Sequence, residues 1–78
     1  MIIKILGSNC SRCRRLESRV RELVEQNDLH AEIQKVDDIQ EMIKYGIMMI
    51  PGLVIDEKVM CAGNVPKDAQ ILKWLKEN

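Results

Sequence analysis

Two cysteines three residues apart, Cys10 and Cys13, stand between a short apolar run and the first long amphipathic segment of the chain. Thiols at that spacing serve one of two chemistries: electron exchange as a dithiol and disulfide, or capture of a thiophilic metal. In the first turn of a helix, residues i and i+3 share a face with Cα atoms about 5–6 Å apart, within reach of a disulfide bridge. Cys10, the more N-terminal, meets the free N–H groups and the positive end of the helix, which favour a thiolate, while Cys13 points back toward the core. An exposed attacker beside a sheltered partner is what thiol-disulfide exchange requires.

All five arginines, Arg12, Arg14, Arg15, Arg19 and Arg21, fall within ten residues beside this pair. Three of them occupy the start of the helix, where positive charge opposes the macrodipole by about 0.3–1 kcal/mol each. A locally unfavourable placement points to a purpose beyond solvation. Arg12 is the candidate for stabilising the Cys10 thiolate, and the cluster would also attract an acidic partner or substrate.

The elements that must position these residues follow from periodicity. Ile2 to Leu6 is a short apolar run ended by Gly7-Ser8-Asn9, which suits a buried strand. From Ser11 to about Asn27, Cys13, Leu16, Val20, Leu23 and Val24 mark one helical face, with Glu17 and Arg21 paired at i,i+4 on the outside. Ala31, Ile33 and Val36 alternate with polar neighbours as in a more exposed strand. Asp38 and Glu41 suggest a capping box for a short helix carrying Ile39, Met42 and Ile43, which Gly46 stops. Leu53 to Ile55 and Lys58 to Cys61 flank Asp56-Glu57 as a hairpin, and Pro66 suits the first position of a last helix that buries Ala69, Ile71, Leu72 and Leu75.

The order strand, helix, strand, helix, strand, strand, helix implies a parallel first pair joined by a crossover, onto which the hairpin adds antiparallel. With 78 residues, 46% of them hydrophobic and 31% charged, one domain over residues 1–78 is expected. Twelve basic against twelve acidic side chains leave no net charge, which argues against nucleic acid or an anionic membrane as partner. No apolar run approaches the roughly 20 residues of a membrane span, and no secretory signal is visible. Three cysteines are too few and odd in number for a secreted disulfide framework, so the reading is a reducing, cytoplasmic compartment.

Metal remains the alternative for the cysteine pair, as a module holding a thiophilic ion or an iron-sulfur cluster, within one chain or across a dimer. Cys10, Cys13, Cys61 and His30 superficially make a zinc set, but a helix of about 25 Å places His30 at the far end of the molecule from Cys10. With the hairpin turning at Asp56-Glu57, Ile55 faces Lys58 and Cys61 falls opposite Gly52, roughly 10 Å from Cys10 and beyond direct bridging, so it reads as a half-buried inert thiol. Met42 and Met60 read as core filler in a chain without phenylalanine, and Trp74 as a half-buried packing residue.

Cys10-Ser11-Arg12-Cys13 after a first strand, this element order, and Ile50-Pro51 before a hairpin together resemble the thioredoxin and glutaredoxin superfamily. The likeness extends over nearly the whole chain and is strongest to short prokaryotic and archaeal redox-active disulfide proteins, through Leu6-Gly7-Ser8-Asn9-Cys10, Lys44-Tyr45-Gly46-Ile47 and the Gly63 to Pro66 turn. It implies a minimal α/β fold, βαβαββα, with a four-stranded mixed sheet and helices on both faces. It implies that Cys10 is the nucleophile, Cys13 the resolving cysteine and Pro51 a cis proline packed against the dithiol, with Ile50 offering its backbone to substrate. Gly63 is then expected in the loop flanking the groove, Tyr45 near that face, and Met49 with Met48 as an apolar rim. The implied partners are protein disulfides and an upstream thiol reductase or glutathione, for a monomer working in electron transfer without a bound cofactor. The family's aromatic residue before the first cysteine and its Gly-Pro between the two are replaced by Asn9 and Ser11-Arg12, which leaves substrate preference and reductant open.

Overall fold

The computed structural model of the protein describes residues 1–7 and 10–77, so Ser8 and Asn9, within the motif before Cys10, lie outside the described residues. The chain runs β1 (Ile2–Leu6), α1 (Ser11–Gln26), β2 (Glu32–Val36), α2 (Ile39–Lys44), β3 (Gly52–Ile55), β4 (Lys58–Ala62) and α3 (Asp68–Glu77). The strands form one sheet in the order β2-β1-β3-β4. β1 pairs parallel with β2 and antiparallel with β3, and β3 pairs antiparallel with β4. The two most apolar strands are therefore central, and the alternating β2 and the mostly exposed β4 take the edges.

Side chains alternate across the sheet. Ile3, Ile5, Leu53 and Ile55 pack on one face under Leu16, Val20 and Leu23 of α1 and Ile71 and Leu75 of α3. Leu6 and Val54 take the other face, with Ile47 and the half-buried Met42 and Tyr45. Helices thus cover both faces, unequally. Ile39 and Ile43 of α2 remain 71% and 70% exposed, so of the three apolar residues expected to build that helix only Met42 turns inward.

Local chemistry sets the ends of these elements. Asp38 caps α2 by accepting the Gln40 N–H at 2.9 Å, while one carboxylate oxygen of Glu41 is buried without a hydrogen-bond partner among the described residues. At the other end, Gly46 (φ +70°) donates to the Ile43 carbonyl and Ile47 to the Met42 carbonyl, a Schellman stop that needs a residue tolerant of positive φ. That reversal drops Ile47 over Gly52, where a Cβ would lie 2.7 Å from its Cδ1. The β3-β4 turn has Asp56 and Glu57 both at positive φ, the pattern of a two-residue hairpin turn matched to strand twist. Asp56 holds it by accepting the Ile2 N–H at 2.8 Å and donating its own N–H to the Ile2 carbonyl.

Three expectations are corrected. The hairpin register slips between Leu53 and Val54: Val54 faces Val59 and Leu53 faces Cys61, leaving Met60 as the extra residue of a bulge. Cys61 is therefore opposite Leu53, not Gly52, and its side chain joins the α1-α3 face. The last helix begins at Asp68, because the Lys67 carbonyl is the first to accept helical N–H groups, from Gln70 and Ile71, so Pro66 precedes the helix. Ala69 is exposed, since Ile71 and Leu75, one turn apart, define the buried stripe.

Candidate functional site

The site is built where β1 ends and α1 begins. Cys10 is the N-cap of α1 with extended backbone, and its Sγ accepts the Cys13 N–H at 3.1 Å. A sulfur in that position takes the place of the usual Ser or Asp oxygen, so the first turn of the helix points a backbone donor directly at it. Cys10 and Cys13 are joined as a disulfide, with Cα atoms 5.2 Å apart. Cys10 is partly exposed and Cys13 is 2% exposed, since Cys13 continues the buried stripe of Leu16, Val20 and Leu23.

Against the dithiol lies the segment before β3. The Ile50–Pro51 peptide bond is cis, and Pro51 is fully buried. Among the described residues neither the N–H nor the carbonyl of Ile50 enters a backbone hydrogen bond, whereas the Pro51 carbonyl accepts the Gly63 N–H at 2.8 Å. That bond ties the loop after β4 to the proline. Gly63, at φ +88°, packs so closely that a Cβ would sit 3.1 Å from the Met49 Cβ. Arg12 reaches across from α1 and donates to the Gly63 carbonyl at 3.3 Å. Met49 and Met48 project outward beside them, 64% and 95% exposed.

The structure thus gathers Cys10, Cys13, Arg12, Met49, Ile50, Pro51 and Gly63 at one end of the sheet. Tyr45 stands apart and is a correction. Its hydroxyl accepts from Lys4 Nζ at 3.0 Å and donates to Glu57 at 2.6 Å, and Glu57 belongs to the hairpin turn at the opposite end of β3 from Pro51. A phenol over a sheet seeks partners for its hydroxyl, and Lys4 and Glu57 supply both. The Tyr45 hydrogen bond holds the Lys4 ammonium above its ordinary pKa and the Glu57 carboxyl below its own.

Gly7 was missed as a site residue. At φ +102°, its Cα is so close to the dithiol that a Cβ would lie 3.0 Å from Cys13 Sγ and 2.9 Å from Ile50 Cβ. A glycine between the strand and the cysteine pair is the available clue, which the sequence reading takes as a strand end and as part of the family motif without giving it a place at the dithiol. Cys61 is unbridged and half-buried, and burial pushes its thiol pKa up. His30 is exposed beyond the far end of α1. Among the described residues no three His, Cys, Asp or Glu groups converge to hold a metal ion, and no helix is long and apolar enough to cross a membrane.

Comparison with known proteins places this geometry in context. A family model described as a thioredoxin domain matches residues 1–76. A thioredoxin of Methanothermobacter thermautotrophicus is 32% identical over 75 residues, covering 96% of this chain and 97% of that protein. A thioredoxin of Methanocaldococcus jannaschii is 30% identical over 76 residues, covering 97% of this chain and 87% of that protein.

Proposed function

Since the chain belongs to the thioredoxin domain family, we propose that it is a cytoplasmic thiol-disulfide oxidoreductase in which Cys10 attacks and Cys13 resolves. The observation that carries this reading is the Cys10 sulfur seated as N-cap of α1 with the Cys13 N–H aimed at it. A backbone donor and the positive end of a helix stabilise a thiolate over a thiol, and Arg12 adds positive charge in the same turn. Cys13, almost wholly buried, is the sheltered partner.

In the reductive direction the Cys10 thiolate attacks one sulfur of a target disulfide. A Cys10-target S–S bond forms, and the second target sulfur leaves as a thiolate that takes a proton from water. The Cys13 thiolate then attacks Cys10, closing the internal disulfide and releasing the first target sulfur. Two electrons pass from the dithiol to the target, and no bound cofactor takes part. The backbone of Ile50 beside the dithiol, unpaired among the described residues, suits an extended polypeptide laid along it, with Pro51 and Gly63 shaping the groove and Met49 its rim. Protein disulfides are the proposed substrates, and an upstream thiol reductase or glutathione the source of electrons.

The test is an equilibrium redox titration in dithiothreitol or glutathione buffers, with free thiols alkylated and assigned by peptide mass. The expected result is one reversible two-electron step linking Cys10 to Cys13 at roughly −180 to −280 mV. A pair that never bridges, or that resists alkylation until a chelator is added, overturns the proposal in favour of a metal-holding module.

A further inference from the structure

The five arginines are not equivalent once folded. Arg19 pairs with Asp68 at 3.5 Å and Arg21 with Glu17 at 2.9 Å, so the two farther along α1 have carboxylate partners. Among the described residues Arg12 donates to the neutral Gly63 carbonyl, and neither it nor Arg14 and Arg15 forms an ion pair. All three are exposed, and the first turn of α1 contains no acidic residue. Among the described residues the unpaired positive charge of the helix therefore lies at its N-terminal end, beside the dithiol, where the macrodipole opposes it. Folding does not require that arrangement.

The basic turn adjoins the apolar rim. Arg12 touches Gly63, Gly63 packs on Met49, and Met48 continues outward from there, so an exposed thioether wall adjoins the cationic collar of Arg12, Arg14 and Arg15 at the dithiol end of the sheet. We infer that the dithiol selects extended polypeptide disulfides whose cysteine has both acidic residues and an apolar residue among its near neighbours in the chain. This rests on the oxidoreductase reading and names its substrate class. A polypeptide fits better than a small acidic disulfide because only a chain spans both the collar and the methionines. The collar accelerates encounter with the acidic flank, and the wall retains the apolar one.

The experiment follows, at low ionic strength, the two-electron reduction of three disulfide-linked peptides by the fully reduced protein. The peptides share a cystine and a leucine and differ in flanking Glu, Gln or Lys; oxidised glutathione serves as the small acidic disulfide. The expected outcome is that the acidic peptide is reduced about tenfold or more faster than the basic one, the ratio shrinking toward unity at about 0.5 M salt. In Arg14→Gln/Arg15→Gln that ratio falls several-fold, whereas arginines that only tuned thiolate acidity would change all three rates alike and leave it intact. Equal rates for the three peptides overturn the selectivity while the oxidoreductase reading stands. Faster reduction of oxidised glutathione than of the acidic peptide overturns the choice of a polypeptide. If none of the four disulfides is reduced, the oxidoreductase reading fails as well.

Discussion

The Cys13 sulfur stands 3.0 Å from the point where a Cβ on Gly7 would be, at a backbone φ of +102° that L side chains rarely adopt. Gly7→Ala therefore meets two penalties at once, backbone strain and a close approach to both Cys13 and Ile50. The expected loss is about 2–3 kcal/mol in urea unfolding of the oxidised protein. An alanine variant as stable as the parent would show that the β1-α1 junction relaxes freely.

The two cysteines are expected to fail differently. Cys10→Ser removes the sulfur that accepts the Cys13 N–H and lowers turnover by at least about a hundredfold. Cys13→Ser leaves the attacker in place but stops resolution, so covalent adducts between Cys10 and its targets accumulate and are visible on non-reducing gels. Equal residual activity in both variants would contradict the assigned roles.

Lys4, Tyr45 and Glu57 link the middle of β1 to the hairpin turn, and the Glu57 carboxyl is held below its ordinary pKa chiefly by the Tyr45 hydroxyl. With the folded-state pKa depressed, the unfolded chain binds more protons at acidic pH. The contribution of this group is present above about pH 4.3 and is lost as pH falls through the lower folded value. Glu57→Gln is expected to lower stability at neutral pH and to converge with the parent in acid. Thermal melts across pH 3 to 7 measure this, and parallel curves would refute it.

Cys61 is expected to react slowly. Burial raises its thiol pKa, so at pH 8 iodoacetamide should modify Cys10 of the reduced protein about tenfold or more faster than Cys61. Peptide mass spectrometry over time resolves the two. Cys61→Ala is expected to leave peptide disulfide reduction at the parental rate.

What the sequence by itself determined is what neighbours along the chain decide. The helical spacing of Cys13, Leu16, Val20 and Leu23, the capping aspartate of α2 and the Gly46 stop all arise from interactions within about five residues. So does the bridging distance between Cys10 and Cys13, because i and i+3 in one helical turn admit little else. The family resemblance added the proline segment, which no local rule would have placed against the dithiol. Only the tertiary structure decided matters that depend on residues some 40 to 50 positions apart meeting in space. It set the approach of Gly7 to Ile50, the bond from Arg12 to Gly63 and the turn of Tyr45 toward Lys4. The hairpin shows the limit even at short range: a single bulged residue, Met60, moved Cys61 to a different partner, because strand register follows packing of both sheet faces and period-two spacing carries no mark of an inserted residue.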